Sequence, residues 1–171
     1  AGRTSATTTA KPVADEMFWF DIWRIGVWPE YNEGVQFPKD SASLSQFFRE
    51  MTPDLSNHQL DIPALGALAK RIGDHILITH SAGGFPGWMS AMQNSEVKGV
   101  VSYEPGGFVF PEGEVPERID GLTGGVAGTA VPMEQFNRLT EIPVVIYFGD
   151  YIPETPSKKL GDENWRVRLQ M

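Results

Sequence analysis

The sequence predicts an α/β fold that is built around a parallel sheet. Three short, continuously apolar runs, at 75–79, 97–103 and 142–149, are rich in β-branched residues, which is typical of strands buried on both faces of a parallel sheet. One helical segment precedes the first run and another separates the first two, as parallel strands require. The second and third runs end in Glu104 and Asp150, so we expect both acids at the carboxyl edge of the sheet.

Length and composition narrow the classes of function. With 171 residues, 41% of them apolar, the chain is about the size of one domain and can bury a sizeable core. Its 14 Lys and Arg against 22 Asp and Glu give a net charge of -8, which disfavours nucleic acid and anionic lipid as partners. No apolar run approaches the roughly 18 residues of a membrane span. The chain has no cysteine, so the sequence offers neither a disulfide nor a thiolate metal site.

An aromatic segment and two helices are predicted before the first strand. The tryptophan-rich stretch 17–28 predicts a short, largely buried helix and a following loop, which form either ordinary core or a wall of a substrate site. We expect Ser41 to cap one helix and Asp61 to cap the next, which Gly73 ends. Residues 1–13 are small and non-periodic, which indicates a loop or an exposed arm.

The rest of the sequence predicts a long loop and an incomplete domain. The segment 105–132 is rich in Gly and Pro and is predicted to be a surface loop, either functional or simply mobile. At 164–171 a helical pattern begins and stops without a cap, and the chain opens with Ala1 rather than Met. We therefore expect 1–171 to be a single partial domain in which a sheet edge and a helix face are left uncovered.

The turn at Ser81 has the pattern of a nucleophilic serine. A strand, the segment 79–84 and a helix follow one another, which is the order of a nucleophile elbow, where the serine hydroxyl stands exposed at the sheet edge. The usual Gly-x-Ser-x-Gly pattern fails at Thr79, but small residues follow the serine at Ala82 and Gly83. The N–H of Ala82 and the first helical turn can stabilise an oxyanion. The alternative is a serine that only caps the helix.

A nucleophilic serine needs a general base, and the sequence contains only His58, His75 and His80. His75 begins its strand and is expected at the opposite edge of the sheet from Ser81. We expect His80 to be a packed, hydrogen-bonded residue, because the position before the nucleophile directs the side chain away from it. His58 is a weaker candidate base, since the helix after it begins at the edge where Ser81 emerges; the alternative is a solvated loop histidine.

Three segments, at 76–81, 100–106 and 142–150, resemble a group of bacterial serine esterases in the α/β-hydrolase superfamily. The segments 2–5 and 36–38 are also similar to parts of that group. The resemblance implies a partial α/β-hydrolase core that comprises strands five to seven and their helices. It also implies hydrolysis of small-molecule carboxylic esters through an acyl-enzyme, without metal or organic cofactor, in an enzyme exported by a bacterium.

The resemblance assigns the acid of a catalytic triad to Glu104, in a Glu-Pro-Gly context, whereas the wider superfamily pattern favours Asp150. In that superfamily the histidine follows the acid in the chain, and here no histidine follows Glu104. The expected base therefore lies in a missing part of the domain or in a partner chain, and the 171 residues alone should turn over little. The alternatives are a non-catalytic binding module on the same scaffold, and an acyltransferase or peptidase that uses the same serine.

Overall fold

The protein is described by a computed structural model for residues 16–50, 60–122 and 124–171. Its strands are β1 (Gly26–Val27), β2 (Glu30–Tyr31), β3 (His75–His80), β4 (Val97–Tyr103), β5 (Val109–Pro111), β6 (Thr129–Val131) and β7 (Val144–Tyr147). Its helices are α1 (Glu16–Ile22), α2 (Ser41–Glu50), α3 (Asp61–Ile72), α4 (Gly84–Gln93), α5 (Met133–Thr140) and α6 (Leu160–Gln170). A 3-10 turn, Ser81–Gly83, joins β3 to α4.

A three-stranded parallel sheet in the order β3-β4-β7 forms the centre of the molecule. The predicted α/β class and the three parallel strands are therefore confirmed. β3 and β4 are aligned so that Thr79 pairs with Ser102 and His80 with Tyr103. β7 is shorter than the predicted run 142–149, since it spans only Val144–Tyr147. Because all three strands point the same way, their carboxyl ends meet at one edge.

The core lies between this sheet and the helices α4 and α5. Buried side chains of α4, Trp88 and Met92 among them, form one cluster with Val97 and Val100 of β4, and Phe136 of α5 packs against that cluster. Val97 and Val100 are almost completely buried. The apolar runs of β3 and β4 thus supply a covered face of the sheet, whereas Val144 and Ile146 of β7, which pair with Val100 and Ser102, are 38% and 44% exposed.

The opposite face of the sheet is open. Ile76 and Ile78 of β3 are 56% and 68% exposed, and Tyr103 and Tyr147 stack on each other across β4 and β7 with both rings largely exposed. The prediction that both faces of the strands are buried is therefore wrong for these residues. Parallel sheets normally have helices on both faces, and the described helices that pack on this sheet lie on one.

A second, aromatic cluster surrounds α1. Phe20 is fully buried, and its ring makes edge contacts with Trp28 and Tyr31 at centroid distances of 5.3 and 5.1 Å. The prediction of a short helix and a loop holds for this stretch, but the prediction that it is largely buried is wrong, since Trp23 is 59% exposed. A helix of seven residues presents only one narrow face to its neighbours.

Both predicted helix caps are wrong. Ser41 is already the first residue of α2, and the side chain of Asp40 accepts hydrogen bonds from the N–H groups of Ala42 and Ser43. These bonds, that from Ser43 foremost, lower the pKa of Asp40. Asp61 is likewise the first residue of α3, one position after the N-cap residue Leu60, which has helical backbone angles. Each residue predicted as a cap is therefore the first helical residue instead.

The segment predicted as a surface loop, 105–132, contains ordered structure. Its β5 and β6 pair in parallel, and Val109, Pro111 and Val131 are buried. Val109 and Val131 belong to the main core. These strands have only three residues each, so a period of two could not be recognised among the Gly and Pro residues around them.

Helix α6 is held at its start by a buried ion pair. Glu163 and Arg166 approach to 2.6 Å with little exposure of either side chain, and Glu163 also accepts a hydrogen bond of 3.0 Å from the N–H of Ser157. The hydrogen bond from Arg166, followed by that from Ser157, lowers the pKa of Glu163 from 4.5 to about 2. The carboxylate thereby ties the preceding loop to the helix.

This ion pair predicts a specific loss of stability in acid. Because the folded-state pKa of Glu163 is depressed, its contribution is present above pH 4.5 and is lost as the pH falls towards 2. Urea unfolding between pH 7 and pH 2 should therefore show a smaller acid-induced loss in Glu163→Gln than in the wild type. Glu141→Gln is the matched control, since Glu141 also pairs with an arginine three residues away but is 66% exposed. Equal acid sensitivity of the wild type and Glu163→Gln would contradict this role.

Candidate functional site

The chain turns sharply at Ser81, where β3 passes through the 3-10 turn into α4. Ser81 has a φ of +50°, in the left-handed region that residues with a side chain avoid at a cost of roughly 1–2 kcal/mol. Its side chain is partly exposed and lines a cleft. The N-cap residue of α4 is Gly83 rather than Ser81, and strain at a non-glycine residue persists only where the surroundings impose it.

The surroundings that impose this strain are the residues after β4. The N–H of Gly106 donates a 2.7 Å hydrogen bond to the carbonyl of Ser81. A Cβ atom on Gly84 would lie only 2.8 Å from the Cβ of Pro105, so the first turn of α4 can reach this segment only with glycine at position 84. The turn of the serine and the turn after β4 are thus locked together.

Thr79 occupies the position of the first glycine in the usual Gly-x-Ser-x-Gly pattern. The Thr79 side chain is buried and its hydroxyl donates a 2.8 Å hydrogen bond to that of Ser102. A Cβ atom on Gly87, in α4, would lie 2.5 Å from the Cγ2 of Thr79. Because Gly87 has no side chain, α4 can pack directly against the Thr79 side chain.

Glu104 is fixed beside this turn. It follows β4 with a φ of +46°, its N–H donates to the carbonyl of Tyr147, and its Oε1 accepts a 3.1 Å hydrogen bond from the N–H of Gly149. Its side chain is 23% exposed, and it lines the same cleft as Ser81. Oε1 is therefore held in place by Gly149, and Oε2 is the oxygen that remains to contact other side chains.

That second oxygen lies next to His80. The His80 Nε2 is 3.9 Å from Glu104 Oε2, and the His80 side chain is 61% exposed. The expectation that His80 is packed is wrong, because it lies on the open face of the sheet beside Tyr103. Within the described part of the chain His80 forms no hydrogen bond with Ser81. His75 lies at the opposite end of β3, where its Nδ1 contacts the carbonyl of Gly73 at 2.7 Å.

The remaining candidate residues are Ala82, Asp150 and His58. Ala82 is exposed in the turn after Ser81, and a Cβ atom on Gly106 would lie 3.4 Å from its nitrogen. The absence of a side chain at 106 therefore leaves space beside that N–H. Asp150 follows β7 and is exposed; its backbone carbonyl accepts a 3.1 Å hydrogen bond from Arg24, and its side chain does not line the cleft. His58 lies outside the described residues.

The cleft above Ser81 has a volume of about 370 Å³. Its walls come from β3, the turn after β4, α1 and α6, and its aromatic lining consists of Trp19, Trp23 and Trp165. The indole Nε1 of Trp19 is buried and has no hydrogen-bond partner among the residues that the structure describes. Sequence reasoning anticipated a possible wall from the tryptophan-rich segment. It missed the residues from α6, since nothing in their spacing indicates that the helix returns to the serine.

No group of three or more possible metal ligands occurs within the described ranges. In the same ranges, none of the helices combines the length and apolar character needed to cross a bilayer. No protein-family model matches the chain, and a search of the curated proteins finds no significant match.

The contact between α4 and Pro105 predicts different effects for two adjacent glycines. Gly84→Ala should lower the free energy of unfolding by about 1–3 kcal/mol, because the added methyl overlaps Pro105. Gly83→Ala is the control, since nothing lies within 4 Å of a Cβ atom there, and its stability should be unchanged or slightly raised. Urea titrations followed by tryptophan fluorescence measure both. Equal stability of the two variants would argue against the contact.

The strain at Ser81 predicts different stabilities for two substitutions of this residue. Ser81→Gly should be more stable than Ser81→Ala by about 1 kcal/mol, because glycine relieves a positive φ that alanine retains. Thermal unfolding of the two variants in the same buffer gives the difference. An alanine variant at least as stable as the glycine variant would mean that residue 81 is not in the left-handed region.

Proposed function

We propose that this protein is a serine hydrolase with an α/β-hydrolase core, which cleaves carboxylic esters through an acyl-enzyme on Ser81. The observation that carries the proposal is the strained turn that presents Ser81 to a cleft containing Glu104. Strain at a non-glycine residue, at the end of a parallel strand, is a recurring property of functional sites. The apolar walls of the cleft suit the uncharged carbon skeleton of an ester.

In the proposed reaction, Ser81 Oγ attacks the ester carbonyl and its proton passes to an imidazole. The carbonyl oxygen becomes an oxyanion, which the Ala82 N–H and the first turn of α4 stabilise. The imidazole then returns the proton to the leaving alcohol. Water attacks the acyl-enzyme by the same route and releases the acid. Metal ligands are not required for any of these steps.

Glu104 is the acid that we assign to this imidazole. It lines the cleft and is fixed by Gly149, whereas the Asp150 side chain is exposed away from the cleft. His80 contacts Glu104 but has no hydrogen bond with Ser81. We therefore assign the base to a histidine outside the described residues, either His58 or a histidine beyond this sequence.

A fluorophosphonate probe, which reacts with activated serines, tests the proposal in the full-length protein. The wild type should be labelled and Ser81→Ala should not, because only the Ser81 hydroxyl is activated. Ser45→Ala, in which an exposed serine of α2 is removed, should label like the wild type. In-gel fluorescence measures the extent of labelling.

The same assay separates the two acids and the alternative function. Glu104→Gln should slow labelling by about tenfold or more, since an amide cannot stabilise the imidazolium, whereas Asp150→Asn should label at nearly the wild-type rate. The reverse result would assign the acid to Asp150. Absence of labelling in a correctly folded wild type would overturn the proposal in favour of a non-catalytic binding module.

A further inference from the structure

The cleft above Ser81 is locally cationic in an acidic protein. Its charged lining residues are Arg24, Arg168 and Glu104, with His80 beside them, while the whole chain has a net charge of -8. Arg24 donates to the carbonyl of Asp150. One positive charge therefore remains in the cleft when His80 is neutral.

Arg168 differs from three other arginines of the described chain in having no carboxylate partner there. Arg166, Arg118 and Arg138 each form an ion pair, with Glu163, Asp120 and Glu141. The Arg168 guanidinium is half-buried, and this burial lowers its pKa. A desolvated cation without an anion is unfavourable unless something else supplies one.

The guanidinium is held in one orientation by groups of its own helix. Nη1 donates to both the backbone carbonyl and the Oδ1 of Asn164, and Cζ lies 5.7 Å from the centroid of the Trp165 ring. No described residue accepts a hydrogen bond from Nε or Nη2. That edge carries two parallel N–H donors, the arrangement that a carboxylate binds with both oxygens.

We propose that the Ser81 cleft selects esters that carry a free, ionised carboxylate in addition to the ester group. This carboxylate binds the Nε–Nη2 edge of Arg168. This inference rests on the proposed ester hydrolysis. The tryptophan walls, Trp19, Trp23 and Trp165, would contact an apolar spacer between the ester and the carboxylate. Attraction of the anion to the cationic lining of the cleft would also raise its rate of association.

Hydrolysis of two matched esters tests this selectivity. The mono-4-nitrophenyl ester of glutaric acid carries the free carboxylate, and its methyl ester is the neutral control. The wild-type kcat/KM, followed by nitrophenolate release, should favour the anionic ester by about 10- to 100-fold. Arg168→Gln should bring the ratio of the two values close to one, and Arg168→Lys should retain part of it. Arg71→Gln, on the exposed surface of α3, should leave the ratio unchanged. A general loss of folding lowers both rates and does not move the ratio.

A binding measurement keeps the inference testable without turnover. In Ser81→Ala protein, monomethyl glutarate should change the tryptophan fluorescence at concentrations at least tenfold lower than dimethyl glutarate, and Arg168→Gln should abolish the difference. Equal affinities of the two compounds would overturn the inference even if Ser81-dependent hydrolysis of neutral esters is found, and the proposed function would then stand. Selective binding without hydrolysis or labelling would retain the anion site and overturn the esterase.

Discussion

The contact between two turns, one after β3 and one after β4, is the constraint on which the rest of the site depends. The hydrogen bond from Gly106 to the carbonyl of Ser81, together with the close approach of Gly84 to Pro105, holds the serine at a φ that it would not adopt by itself. The same turn positions Glu104. Because parallel strands end at one edge, the two turns bring Ser81 and Glu104 to the same cleft.

The strands β3 and β4, which carry these turns, are covered on one face and open on the other. This asymmetry shapes the environment of Glu104. On the covered face, Thr79 and Ser102 form a buried hydrogen bond beneath α4. On the open face, His80 reaches Glu104 in a largely exposed position. Two neighbouring residues of one strand, Thr79 and His80, thus meet opposite environments, as the alternation of side chains along a strand requires.

Local sequence patterns predicted the central strands and the serine turn. They could not predict contacts between segments that are distant in the sequence. β3 and β4 were predictable because a short, continuous, β-branched apolar run between turn signals is typical of a strand. The contact between Gly87 and Thr79 could not be recognised in the sequence, since only packing brings the two together. Arg168 is a similar case, because only the folded chain shows that none of the described carboxylates pairs with it. Short strands such as β5 carry too few residues for any period to show.

The backbone at residue 81 decides whether Ser81 can act as proposed, and a crystal structure of the protein tests it most directly. We expect a positive φ at Ser81, a hydrogen bond from Gly106 to its carbonyl, and a hydroxyl that faces the cleft lined by Glu104. A Ser81 with helical backbone angles, or with its hydroxyl turned into the core beneath α4, would contradict the assignment of the nucleophile and the function proposed from it.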